Sequence, residues 1–438
     1  MSVKVVKFGG SSLADAGQFR RVKEIIESDP ARKYVVPSAP GKRFSGDEKV
    51  TDMLLECYRL SENDENIDAV FSKICERYQS IIADLGVEID LIQEFEYIRE
   101  AIKHHAGKDY VASRGEYLNG LILAKYLNYS FVDPKKYILF KENGTFDPEE
   151  TNSRLKTALE KREHAVIPGF YGSMPNGTIK TFSRGGSDIT GAIVARAVNA
   201  VLYENWTDVS GFLMADPRHI KNPKPIDTIT YRELRELSYM GATVLHEESI
   251  FPVRYAGIPI NIRNTNRPQD KGSMIVASAK QDDNKDVITG LAGKTGFSIL
   301  NIEKEMMNGE VGFVRKVLEA LENFNIGFEH IPSGIDTMSI IIHTAALEGK
   351  REQLINEICR VVNPGTIFIE DRIALIAVVG RGMIKAKGTA AKIFNALADA
   401  NINIKMIDQG SSELNIIVGV EEKDFSQALN SIYNTFIN

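Results

Sequence analysis

The feature that most constrains this chain is a repetition near its end. Residues 312–331, GFVRKVLEALENFNIGFEHI, recur 76 positions later at 388–407, GTAAKIFNALADANINIKMI, with seven identities in twenty and no gap. The shared pairs are Gly312/Gly388, Lys316/Lys392, Ala320/Ala396, Leu321/Leu397, Asn325/Asn401, Ile326/Ile402 and Ile331/Ile407. Each copy reads as a glycine turn, an amphipathic helix, then an Asn-Ile step into a strand, with another strand before the glycine (295–302 and 373–379). Two βαβ-containing modules are implied. Two copies do not make a solenoid, and on these residues alone a duplicated structural domain without a ligand is the competing reading.

The preceding residues follow a different pattern. Short apolar runs at 3–8, 34–38, 165–171, 200–205 and 259–263 alternate with helical spacing, which predicts βαβ units and a largely parallel sheet. Residues 52–127 are rich in helix formers and predict a helical layer or insertion, while the polar stretch 281–286 predicts a domain boundary. A chain of 438 residues is expected to form two or three domains. Its 43% hydrophobic and 26% charged content is that of a soluble globular protein. A net charge of −6 gives no general attraction for nucleic acid or an anionic membrane, which leaves a small-molecule partner. Residues 1–13 lack a cleavage-site pattern and no apolar run reaches a membrane-spanning length, so neither secretion nor membrane insertion is expected. Cys57, Cys75 and Cys359 are odd in number and far apart in sequence, which argues against a disulfide framework or zinc site and for a reducing, cytoplasmic compartment.

Four short motifs carry chemistry. The first apolar run ends in Lys7-Phe8-Gly9-Gly10-Ser11-Ser12. Adjacent glycines let the backbone approach an anion, Lys7 supplies charge, the serines supply donors, and a helix expected over 15–28 would add its positive end. A strand ending in a Gly-Gly turn beside a solvated lysine is the equal alternative. Thr181-Phe182-Ser183-Arg184-Gly185-Gly186-Ser187-Asp188-Ile189-Thr190 precedes a helical segment at 191–198. There Arg184 can fork onto a carboxylate or phosphate and Asp188 can orient a metal ion or a lysine, unless Ser187 or Asp188 simply caps the helix. Trp206-Thr207-Asp208-Val209-Ser210-Gly211, with Asp216-Pro217-Arg218 after it, follows a strand, and its polar contacts to a nucleotide would be Asp208 and Arg218. The alternative is an Asp-Pro turn with a surface arginine. Ser113-Arg114-Gly115-Glu116 heads a helical run at 117–127, where Glu116 either holds a substrate ammonium or complements the helix dipole.

Taken together, KFGGSS at 7–12, SAPG at 38–41 with Val50-Thr51-Asp52 beyond it, SRGE at 113–116, SRGGSD at 183–188, TDVSG at 207–211, DPR at 216–218 and the repeated modules resemble the aspartate kinases of the amino-acid kinase family. The resemblance covers essentially the whole chain, and the repeats resemble ACT domains, ferredoxin-like modules that bind amino acids. It implies an α/β fold: an amino-acid-kinase αβα sandwich with a mainly parallel sheet over 1–285, then two ferredoxin-like ACT domains over 295–368 and 369–438, able to interweave. The implied reaction is ATP-dependent phosphorylation of the L-aspartate side-chain carboxylate to 4-phospho-L-aspartate, the first step toward lysine, methionine and threonine, with feedback through the ACT domains.

Residue by residue, the resemblance puts Lys7 on the transferring phosphate and Gly9, Gly10 and Ser11 in its cradle. Thr51, Glu116, Arg184 and Ser187 match substrate positions, with Glu116 facing the ammonium and Arg184 a carboxylate. Asp188 matches the aspartate that orients Lys7. Thr207, Asp208 and Arg218 match nucleotide contacts, and Mg2+ would bridge the phosphates through water and substrate oxygens rather than protein side chains. Met307, Glu310, Gly327, Phe328 and Glu329 fall near an effector, lysine and/or threonine, and a homodimer or homotetramer through the ACT domains is implied. Two positions depart from the family: Leu213, where tyrosine is frequent, and Thr243, where a G-A-K-V-L-H motif has a phosphate-contacting lysine. They keep open a catalytically weak, amino-acid-sensing relative, beside a kinase of the same fold acting on acetylglutamate, glutamate, UMP or carbamate.

Overall fold

The computed structural model describes residues 2–183, 185–241, 250–279 and 286–437. They fall into two units, the first holding residues up to 212 with 227–231 and 250–279, the second holding 213–226, 232–241 and 286–437. Among the described residues no helix is long and apolar enough to cross a membrane.

In the first unit β1 (Lys4–Phe8) and β2 (Arg32–Pro37) are parallel neighbours joined through α1 (Ala16–Glu27), which buries Phe19, Val22, Ile25 and Ile26 at helical spacing. Residues 52–127 form the expected helical layer as α2 (Val50–Glu62), α3 (Asp68–Leu85), α4 (Ile92–Lys103) and α5 (Lys108–Leu127). Then come β3 (Ser130–Phe131), α6 (Pro148–Glu160), β4 (Ala165–Val166), a hairpin of β5 (Tyr171–Ser173) and β6 (Ile179–Thr181), α7 (Gly186–Ala197) and β7 (Leu202–Thr207). The run expected at 165–171 is split between β4 and β5: Gly169 N–H still donates to Pro37 O at 3.0 Å, and Phe170 then turns the chain with a φ of 82°. After β8 (Phe212–Leu213) and β9 (Pro225–Ile226), β10 (Thr228–Thr230) leads into α8 (Tyr231–Tyr239), followed by α9 (Phe251–Ala256), β11 (Ile260–Asn264) and β12 (Ser273–Val276).

Eight strands form one sheet in the order β10-β12-β11-β7-β1-β2-β4-β3, antiparallel only where β11 meets β12 among the described pairs. β1 lies inside it, with Val5, Val6 and Phe8 wholly buried, and its register against β7 sets Lys7 beside Asn205. The carboxyl ends of β1, β2 and β7 therefore open on one side, where an open parallel sheet takes its ligands.

The second unit carries the repeat: β13 (Gly290–Glu303), α10 (Phe313–Asn323), β14 (Thr337–His343), α11 (Arg351–Val362), β15 (Thr366–Val379), α12 (Thr389–Asp399), β16 (Met406–Asp408), β17 (Asn415–Glu421) and α13 (Phe425–Ile437). The sheet is antiparallel, in the order β14-β13-β15-β17-β16. Two of the repeat's identities are backbone requirements: Gly312 and Gly388 have φ of +84° and +85°, and Asn325 and Asn401 have φ of 52° and 56°, the left-handed region that favours these residue types. Ala320/Ala396, Leu321/Leu397 and Ile326/Ile402 are the buried packing positions.

The expected boundaries are redrawn in two places. β13 and β15 run through both modules: residues 297–303 pair with β14 and with 366–373, whereas 290–294 pair with 375–379. The second module thus takes an outer strand from residues that precede the first, so the division at 368/369 becomes an interweaving. Residues 213–226 and 232–241 group with the second unit rather than with 1–285. Two polar groups of theirs are paired there: Lys224 N–H donates to Tyr433 Oη at 2.8 Å, and the buried Glu233 carboxylate meets Arg381 at 2.8 Å.

Candidate active site

Lys7, near the end of β1, is 8% exposed, and its Nζ lies 2.6 Å from Asp188 Oδ1. Asn205 closes the arrangement: its Oδ1 accepts from Lys7 Nζ at 3.4 Å and its Nδ2 donates to Asp188 Oδ1 at 2.8 Å. A lysine ammonium is thereby fixed in direction by two acceptors, one of which is fixed by the other. The sequence reading did not single out Asn205. Its only mark is a polar residue at the end of an apolar run, directly before Trp206-Thr207-Asp208.

Beyond Phe8 the chain turns into a short 3-10 helix, Gly10–Leu13. Gly10 is required by a close backbone approach, since a Cβ there would lie 2.9 Å from Ala39 O, and Gly41 N–H donates to Gly10 O at 2.8 Å. Ser12 and Thr265 hydroxyls, 2.7 Å apart, hold the turn from the other side. Among the described residues the amides of Gly10 and Ser11 have no protein acceptor, the condition for an anion cradle. The expected contribution of α1 is corrected: its N-terminus is capped by Asp15, whose Oδ1 accepts Gln18 N–H at 2.9 Å, so the 3-10 turn takes the place beside β1.

Glu116 is not at the head of a helix. α5 begins at Lys108, which puts Ser113-Arg114-Gly115-Glu116 in its interior and removes the helix-dipole reading. Gly115 is tolerated there because α5 lies against the loop after β2; a Cβ would come within 2.8 Å of Ala39 Cβ. Glu116 is 6% exposed, its Oε1 accepts Ala39 N–H at 3.1 Å, and its Oε2 is buried without a partner among the described residues. Burial pushes its carboxyl up to about 7, against the opposing effects of the Ala39 N–H and the charges of Arg114 and Lys7. Arg114 itself is buried with its guanidinium 4.5 and 4.6 Å from the ring centres of Tyr110 and Tyr117.

α7 starts at Gly186 with Gly185 as its N-cap at φ 58°, so Ser187 and Asp188 occupy the first turn, and neither side chain makes a capping bond. The capping alternative falls away. Arg184 lies outside the described residues, as does Thr243. A cavity of about 580 Å³ is lined by Lys7, Gly9, Gly10, Ser11, Thr51, Glu116, Asp188, Asn205, Thr207 and Asp208, together with the loop from Ser38 to Lys42, Lys49 and Ile262. A smaller space of about 200 Å³ shares Lys7, Ser38, Thr51, Glu116 and Asp188 and adds Phe170 and Gly185 to Ser187. The first suits a polyphosphate and the second a small substrate, with Lys7 and Asp188 facing both.

Arg218 is not among the residues that line these two cavities. It belongs to the second unit, exposed and forked onto Asp216 at 2.5 and 2.8 Å, the Asp-Pro turn with a surface arginine. Leu213 is in the second unit and 40% exposed. Of the effector candidates, Met307 is packed in the core of the first module, Glu310 pairs with Lys304 at 2.5 Å and Lys316 at 3.0 Å, and Glu329 accepts the Tyr239 hydroxyl. Phe328 is half-exposed, and a Cβ on Gly327 would meet open space.

A family model described as the amino acid kinase family matches residues 2–264, and one described as an ACT domain matches residues 376–436. Aspartokinase 3 of Bacillus subtilis is 39% identical over 449 residues, covering 99% of this chain and 98% of that protein. The chain belongs to the amino acid kinase family, among its aspartate kinases. The crystal structure of a Clostridium acetobutylicum aspartate kinase is 53% identical with a TM-score of 0.92, covering 100% of both chains. Escherichia coli aspartokinase III, crystallised with aspartate and ADP, is 24% identical with a TM-score of 0.74 over 100% of both chains, a likeness of fold. In this chain the kinase-family match precedes the ACT match.

Proposed function

We propose that this chain transfers the γ-phosphoryl group of ATP to the side-chain carboxylate of L-aspartate, giving 4-phospho-L-aspartate and ADP. The observation that carries the substrate assignment is Glu116: a buried carboxylate with one oxygen satisfied and the other unpartnered among the described residues, on the wall shared by both cavities. A substrate ammonium completes it, and in doing so favours the ionised carboxylate that burial disfavours. By the family resemblance Arg184 would take the α-carboxylate, and Thr51 and Ser187 line the smaller cavity.

Phosphoryl transfer asks the protein mainly to position and to balance charge. Lys7, aimed by Asp188 and Asn205, is suited to hold the transferring phosphate's oxygens as negative charge redistributes, while the amides of Gly10 and Ser11 cradle its neighbours. Thr207 and Asp208 line the nucleotide end. The cavity presents Asp188, Asp208 and Thr207, oxygen donors that suit a hard cation, although no cluster of three His, Cys, Asp or Glu exists among the described residues. Mg2+ would accordingly sit on phosphate oxygens with Asp208 near it, and when bound it supplies neutralisation of phosphate charge. The ACT region would bind an amino-acid effector, lysine and/or threonine, and associate in a homodimer or homotetramer.

Trapping the acyl phosphate as a hydroxamate, with aspartate, glutamate and acetylglutamate offered separately, tests the reading. ATP-dependent hydroxamate from aspartate supports it. Product only from glutamate or acetylglutamate, or none from any substrate, overturns it.

A further inference from the structure

The phosphate side of the cavity is short of free positive charge. Among the described residues three cations line it, Lys7, Lys42 and Lys49, and Lys7 is already paired with Asp188 at 2.6 Å, while Asp208 adds a negative charge. A nucleotide polyphosphate brings several more. Lys42 and Lys49 stand at the two feet of one loop between β2 and α2. Val50 N–H donates to Pro40 O at 3.2 Å, which closes the base of the loop and puts both feet on the same cavity wall.

The loop is held from within. Asp47 is gripped by Arg77 of α3 at 2.7 and 2.8 Å and by Arg43 at 2.9 and 3.0 Å, and Arg77 also donates to Gly41 O at 3.1 Å. The Arg77 and Asp47 side chains are 5% and 8% exposed, so the pair is a buried one. Such pairs add little net stability over an apolar pair of the same size, and their use is in fixing one conformation. What is fixed here is a loop joined through Gly41 N–H to the glycine turn after Lys7, with two lysine ammoniums that have no protein partner among the described residues.

We infer that Lys42 and Lys49 bind the polyphosphate of the nucleotide, and that Asp47 and Arg77 are positioning residues that hold the loop in place for it. The inference deepens the reading of this cavity as an ATP site and rests on it. Both lysines are exposed, so their replacement leaves the core intact.

The experiment measures KM for ATP, KM for aspartate and kcat in Lys42→Gln, Lys49→Gln and the double variant, over a range of KCl. The expected result is a KM for ATP raised about tenfold in the double variant, with KM for aspartate within about twofold and a shallower salt dependence of the ATP term. Arg77→Lys keeps the charge but loses the fork, and should raise KM for ATP without raising KM for aspartate. An unchanged KM for ATP and salt slope in the double variant overturns the lysine assignment. An Arg77→Lys enzyme that loses melting temperature with both KM values unchanged overturns the positioning role. Calorimetric titration with ADP separates the inference from the activity it rests on. A wild-type chain that binds ADP more tightly than the double variant supports the lysines even if aspartate is not phosphorylated, and a wild-type chain that does not bind ADP overturns both.

Discussion

Glu116 of the first unit is held in the opposite way to the paired carboxylates of the second. In the first, Glu116 is buried with one oxygen unpartnered among the described residues, and burial pushes its carboxyl up to about 7. In the second, Glu310 lies between Lys304 and Lys316, and Asp371 between Arg351 and Ser298; hydrogen bonds from those partners hold both below the usual carboxylate range. Even the buried Glu233 of the second unit is matched by Arg381 and Thr289. A folded chain rarely leaves a buried carboxylate oxygen incomplete, and on the cavity wall at Glu116 a ligand would complete it.

If that contrast is right, the largest effect comes from the most constrained group. Lys7→Ala should lower kcat by about a hundredfold or more with the melting temperature little changed, whereas near-normal turnover would remove Lys7 from the chemistry. Next in size is Glu116→Gln, which should raise KM for aspartate by about tenfold to a hundredfold, read from saturation curves at saturating ATP. Its wild-type counterpart has a pH signature. Below about 7 the Glu116 carboxyl is neutral in the free protein and cannot match an ammonium, so kcat/KM for aspartate should climb as pH rises through that value and climb less in Glu116→Gln. The same shift has a stability sign. Burial pushes the folded carboxyl up to about 7 from the ordinary glutamate value of 4.5, so the folded state holds the proton more tightly. The stabilisation this gives is complete below 4.5 and is lost as pH rises through about 7, visible as a melting temperature that falls over that window in wild type and less in Glu116→Gln.

Smaller effects belong to the second unit. Lysine or threonine at saturating concentration should raise the melting temperature of the full chain by about a few degrees, and no shift with either would count against effector sensing. Smallest of all, Glu310→Gln should leave the melting temperature within about 1 °C and kcat unchanged, because its ion pairs are at the surface. A loss of the lysine or threonine shift in that variant would sharpen the contrast by giving Glu310 a ligand of its own.

The parts legible in sequence are those where one short stretch carries the whole requirement. Lys7 with the glycines after it, and Gly185 to Asp188, announce a strand end and a helix start that can face an anion, and both line the cavity. Glu116 was legible as a residue and misread as a position, because Gly115 looks like a helix breaker until the close approach of Ala39 explains it. Asn205 and the Lys42 to Lys49 loop were not legible. Their roles arise from register with Lys7 and from a buried Arg77 thirty residues beyond Asp47, neither of which leaves a local mark. Interweaving of the two modules was expected, but not that residues 290–294 carry it, because the repeat fixes what each module contains and not which pre-repeat segment completes the second.

The central claim is that Glu116 reads the ammonium of a free amino acid whose other end faces Lys7. Its most direct test is kcat/KM for L-aspartate and for N-acetyl-L-aspartate, measured by ADP release in wild type and in Glu116→Gln. The account predicts a preference for the free amine of about tenfold to a hundredfold in wild type, from the unpaired carboxylate left by acetylation, and a clearly smaller preference in the variant. Equal use of the two substrates by wild type would contradict it.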